Sequence, residues 1–150
     1  MGFLDKIIHR QIKSLTKQIC QAMLLAFSMA EASVKNGENN IQSYGDLAAI
    51  ALLTRFRWKK TNDSIFEYEN GKKIEVTADS SLADVTLSVI LIELQDSILT
   101  ASNPEEVFGI VTDEFVSRFT TTSDEEVWAL VRKNKTWKET MGAVHIARRR

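Results

Sequence analysis

The stretch LDKIIHRQIKSLTKQICQAMLLAFSMAEASVK, residues 4–35, decides the fold class. Its apolar residues Leu4, Ile8, Ile12, Leu15, Ile19, Met23, Ala26 and Ala30 recur at steps of three or four, the period of an α-helix. At 100° per residue, Lys6, Arg10, Lys13 and Lys17 fall within about 60° of one another and roughly opposite that stripe. The segment predicts one long amphipathic helix with a basic outer face, ended by the αL-tolerant pair Asn36-Gly37. Ile12, Leu15 and Ile19 are expected to be buried, and Lys6, Lys13 and Lys17 exposed.

Downstream, the polar run 38–45 reads as a loop, and Asp46 is a candidate cap for a short helix over 47–53. Between Phe56 and Val76 the period changes to two, and Asn70-Gly71 sits between two strand-like runs. With those two as the loop of a type I′ turn, Glu69 opposes Lys72, Glu67 opposes Ile74 and Ile65 opposes Val76. One face then carries Ile65, Ile74 and Val76. Arg55-Phe56-Arg57-Trp58-Lys59 alternates too, so the region 55–77 predicts a β-hairpin or a three-stranded meander.

The second half carries helix-start signals. Ser81/Asp84, Asn103/Glu106 with Pro104, Ser123/Glu126 and Thr136/Glu139 all have capping-box spacing. They predict helices over about 82–101, 104–119, 124–133 and 137–147. Val85–Leu94 also alternates, which makes a buried strand the competitor there; the apolar pattern continues through Leu99, too far for an ordinary strand. Phe108, Val111, Phe115 and Phe119 recur at helical spacing and read as core.

Six glycines and one proline among 150 residues argue against a many-turned β-sandwich. The expectation is a single domain over 1–150 of α+β class, mainly helical. A long N-terminal helix and four to five further helices pack with the small antiparallel hairpin or meander. The chain is 44% hydrophobic and 26% charged, the balance of an ordinary globular domain, with no apolar run near the ~20 residues of a membrane span. A lone cysteine, Cys20, allows no intrachain disulfide and points to a cytoplasmic protein. Basic residues ahead of Met23–Phe27 and Ala30-Glu31-Ala32 resemble an export signal in outline, but the basic part is itself periodic and apolar.

The net charge of −1 hides an uneven layout: residues 1–20 carry +3, residues 79–131 carry −10 and residues 132–150 carry +6. The basic ends can dock on acidic helices of the same chain or of a second copy.

Signatures of chemistry are missing. His9 and Cys20 lie eleven residues apart on one predicted helix, about 16 Å along its axis, too far for a dyad. Two histidines and one cysteine make no zinc-ligand pattern, and six isolated glycines make no phosphate-binding loop. First-turn positions account for Glu105, Glu106 and residues 124–126 as acids complementing helix dipoles. No catalytic residue, metal or cofactor is assigned, and the sequence favours a non-catalytic role.

The leading reading is a protein–protein interaction or regulatory module that forms a homodimer through its helices. A helix of more than 30 residues is about 45 Å long, more than a compact domain of this size covers. Ile8, Ile12, Leu15, Ile19 and Met23 are its candidate interface. The alternative is a binder of an anionic surface, membrane or nucleic acid, through Lys6, Arg10, Lys13 and Lys17 or through Arg148, Arg149 and Arg150. Alternation over 55–59 would also suit a single-stranded nucleic-acid platform.

Overall fold

The computed structural model describes residues 3–37, 43–101, 103–119 and 124–148; among them are seven helices and a three-stranded antiparallel sheet. The protein is α+β and mainly helical. Helix α1 (Phe3–Lys35) is one element of 33 residues. It ends where Gly37 takes φ 71° and donates its N–H to the Val34 carbonyl, while Asn36 N–H reaches Ala32. This is the αL stop expected of Asn36-Gly37.

The buried stripe of α1 contains Ile12, Thr16, Ile19, Cys20, Met23, Phe27 and Ala30. Leu15 lies outside it, 41% exposed, which corrects its expected burial. Thr16 occupies the inward position instead. Its hydroxyl donates to the Ile12 carbonyl at 2.7 Å, so this polar group enters the core with its hydrogen bond made.

The chain groups into two units: residues 1–20 with 87–150, and residues 21–86. In the second, α2 (Tyr44–Leu53) starts three residues before the expected 47–53, and Ser43 rather than Asp46 caps it. The Ser43 hydroxyl accepts from the Asp46 N–H at 3.1 Å. Ala48, Ala51 and Leu52 are buried, and Gly45 lies so close to the Thr77 carbonyl that a Cβ there would overlap its oxygen.

Strands β1 (Trp58–Lys60), β2 (Ile65–Tyr68) and β3 (Lys73–Glu75) form the meander in the order β1-β2-β3. The register differs from the expected one by a single residue: Phe66, not Glu67, opposes Ile74, and Ile65 opposes Glu75. The loop has three residues, not two. Gly71 N–H donates to the Tyr68 carbonyl at 2.9 Å, Tyr68 N–H donates to Lys72, and Gly71 has φ 88° while Asn70 does not enter the positive region. This turn ends in an αL glycine and is not type I′, whose two central residues both need positive φ. Asn70 accepts the Lys72 N–H at 2.9 Å on its side-chain oxygen, which stabilises the longer loop. The slip puts Phe66, with Ile74 and Val76, on the buried face, where the expectation had Ile65. On the other face Glu67 pairs with Lys59 at 3.3 Å and Lys73 at 3.8 Å.

Helix α3 (Leu82–Glu93) confirms helix over strand at 85–94. Every residue from Val85 to Ile92 is buried, which is why period alone does not separate the two conformations there. The single helix expected over 82–101 is two: Leu94 turns to ψ 10°, and α4 (Gln95–Thr100) restarts the ladder with Ile98 N–H on the Leu94 carbonyl.

In the first unit, α5 (Pro104–Phe119) opens on an Asn103 cap: the side-chain oxygen of Asn103 accepts the Glu106 N–H, and its side-chain NH2 donates to the Glu106 carboxylate at 3.3 Å. Phe108, Val111 and Phe115 are buried. Helix α6 (Asp124–Lys133) begins where expected, its cap candidate Ser123 lying outside the described residues. Helix α7 (Lys135–Arg148) starts two residues early, because Asn134 rather than Thr136 is its cap. The Asn134 side-chain oxygen accepts the Trp137 N–H at 2.7 Å, and its amide donates to the Ser88 hydroxyl at 2.9 Å.

Two glycines test these constraints. Gly71→Val is expected to cost about 1–2 kcal/mol through backbone strain alone, since its Cβ meets nothing within 4 Å. Gly45→Ala is expected to cost about 3 kcal/mol by displacing the Thr77 backbone. Urea midpoints with unchanged slopes check both, and a Gly45→Ala midpoint equal to wild type would contradict the close approach.

Candidate interaction surfaces

The expected interface residues do not share one surface. Ile12, Ile19 and Met23 are buried within the chain and Ile8 is half-buried, so of the five only Leu15 is exposed. The physical cause is the intrachain cover just described: the α1 stripe already faces core. Lys6, Arg10, Lys13 and Lys17 are exposed. Arg149 and Arg150, and the Arg148 side chain, lie outside what the structure describes.

Exposed apolar surface sits elsewhere in α1. Leu25 is 63% and Met29 64% exposed, and in the second unit they flank a cavity of about 420 Å³ lined by Ala22, Leu25, Ala26 and Met29 of α1 with Ile50 and Thr54 of the α2 end. None of these six side chains is charged. Their alternation of small alanines with Leu and Met leaves depressions beside projections, the relief on which another helix packs. The hydrophobic pattern of residues 4–35 did not single out Leu25 or Met29, because both lie beside the main stripe. The signal available was a second apolar series, Ala22, Leu25, Met29 and Ala32, at steps of 3, 4 and 3.

A second concavity, about 370 Å³, lies along the meander between Arg57, Trp58, Lys59, Glu67, Tyr68 and Glu69. Its aromatic and cationic groups are engaged within the chain. Trp58 is buried, with its ring centroid 5.1 Å from that of Tyr68, and the cations are engaged by carboxylates: Arg57 with Glu69 at 3.0 Å and Lys59 with Glu67. The Tyr68 side chain, followed by Glu69, holds the Arg57 guanidinium charge and pushes its pKa up.

In the first unit His9 and Cys20 meet different groups. His9 Nδ1 lies 3.3 Å from Glu106 on α5, and its Nε2 is buried without a hydrogen-bond partner. Cys20 is fully buried; burial pushes its thiol up to about 12, with Arg118 opposing and Glu114 adding to the shift. A thiol in that state is a poor nucleophile. Among the described residues no three His, Cys, Asp or Glu side chains converge as metal ligands would, and no helix is long and apolar enough to cross a membrane.

Comparison with protein families, curated proteins and solved structures yields no match.

Cys20 gives a prediction with a definite sign. Below about pH 9 both folded and unfolded chains hold the thiol proton; above it the unfolded chain releases the proton, and the folded chain keeps it until about pH 12. Stability is therefore lost as pH rises through that window. Denaturant titrations from pH 8 to 11 are expected to show wild type losing stability faster than Cys20→Ala, and parallel pH profiles would contradict the buried neutral thiol.

Proposed function

We propose that this chain is a non-catalytic protein–protein interaction module that self-associates through its helices. The observation that carries this reading is the uncharged, exposed series Ala22, Leu25, Met29 and Ala32 on α1, beside the groove shared with the end of α2. A surface without charge meets a copy of itself without like-charge repulsion, and the 3-4-3 spacing is that of a helix-pairing seam. Leaving two side chains such as Leu25 and Met29 in water forgoes roughly 1.5–3 kcal/mol each, which a pairing copy recovers. The interface thus moves from the expected Ile12, Ile19 and Met23 to a neighbouring stripe of the same helix. A second reading, docking of an anionic surface on the basic face of α1, is supported by the exposure of Lys6, Arg10, Lys13 and Lys17.

Sedimentation equilibrium distinguishes them. Wild type is expected to dimerise at micromolar concentration, and Leu25→Glu with Met29→Glu to weaken association more than about 100-fold while leaving the urea midpoint of the protomer unchanged. A wild-type protein monomeric at tens of micromolar would overturn self-association.

A further inference from the structure

We propose that Met29 is an oxidation site that controls pairing: peroxide converts its thioether to the sulfoxide, and the oxidised copies separate. The inference rests on the self-association proposed above and adds its regulation. Among the described residues the sulfur side chains divide by access. Cys20 and Met23 are fully buried in α1, and Met141 on α7 is 37% exposed, whereas Met29 is 64% exposed. A buried sulfur is shielded from a dissolved oxidant, and the Cys20 thiol is further protected because burial holds it protonated. The most accessible of these sulfurs therefore lies in the uncharged groove of the second unit, whose lining includes Leu25, Ala26, Ala30 and Ile50. Leu25, the other large exposed side chain of that seam, is inert to peroxide.

The oxidation needs hydrogen peroxide and no other reactant. A lone pair on Met29 Sδ attacks one peroxide oxygen, the O–O bond breaks and an S–O bond forms. The proton on the transferred oxygen passes to the departing hydroxide, which leaves as water; sulfur gives up two electrons and peroxide takes them. The product carries a strong hydrogen-bond acceptor where the thioether was apolar. The groove offers few donors to answer it: the Thr54 hydroxyl is committed to the Ala51 carbonyl at 2.6 Å, and Ser33 carries the other hydroxyl of the lining. In water the S–O group is hydrated, and in a paired seam it loses that hydration with little in return. A dimer with two-fold symmetry carries the group twice. Pairing also covers Met29, so the separated chain is the form that reacts, and once oxidised it stays apart.

The test is sedimentation equilibrium of the full chain before and after hydrogen peroxide, with peptide mass mapping of every methionine. In wild type the dissociation constant is expected to rise at least about tenfold, in step with the gain of one oxygen at Met29. The urea midpoint of the protomer is expected to stay unchanged, and methionine sulfoxide reductase to restore association. Each variant is read against its own untreated sample: Met141→Leu should respond to peroxide as wild type does, and Met29→Leu should not respond. Full oxidation of Met29 with an unchanged dissociation constant would overturn the proposal and leave self-association standing. So would a response that persists in Met29→Leu or that tracks the sulfoxide at another methionine. A wild type that is monomeric before peroxide is added would overturn the self-association reading and this proposal with it.

Discussion

A helix of 33 residues presents about 50 Å of surface on every side, and its 3.6-residue period fixes which side chains share each stripe. One stripe of α1 can be desolvated by the rest of a 150-residue chain; the others meet water or a partner. The sequence of α1 is divided accordingly. Ile12, Thr16, Ile19, Cys20 and Met23 run along the core side, and Lys6, Arg10, Lys13 and Lys17 along the solvent side. Within the second unit, Ala22, Leu25 and Met29 lie on the border between the two, apolar but not covered. The groove, the state of Cys20 and the exposure of the basic face all follow from this partition.

Several polar side chains enter the core with their hydrogen bonds made. Thr16, Thr112 and Thr140 each return their hydroxyl to a carbonyl four residues earlier, at 2.7, 2.9 and 2.7 Å. Asn134 caps α7 and reaches Ser88 with the same side chain, so one residue both starts a helix and ties it to the buried run of α3. Desolvating an amide without partners would be costly, and here each end of the amide has one. In the meander, Glu67 set between Lys59 and Lys73 does comparable work at the surface, where ion pairs contribute less.

Much of the fold was legible because periodicity and caps act locally. The limits of α1, the Gly37 stop, the start of α5 at Asn103-Pro104 and the existence of a meander are set within a few residues of the chain. Most of the misreadings share a cause: two local signals of similar strength competed, and tertiary context chose. Leu15 is more apolar than Thr16, yet Thr16 lies closer to the centre of the buried stripe. Asn70-Gly71 suits a two-residue turn, but a three-residue loop brings Phe66 rather than Glu67 across from Ile74. Asp46 and Thr136 were plausible caps beside the actual Ser43 and Asn134. The break at Leu94 has neither Gly nor Pro to announce it. The candidate surfaces were less legible, since exposure of Leu25 and Met29 depends on what the remainder of the chain covers.

The most direct measurement of that partition uses the buried state of Cys20, which leaves an added surface cysteine as the reactive thiol. Ser28 is exposed on α1 between Leu25 and Met29, and a nitroxide placed there through Ser28→Cys reports on the uncovered stripe. If copies pair along it, helix axes lie about 8–10 Å apart, and double electron–electron resonance is expected to show an intermolecular distance distribution below ~30 Å. Dipolar decay that is only homogeneous background at concentrations of tens of micromolar would contradict the account.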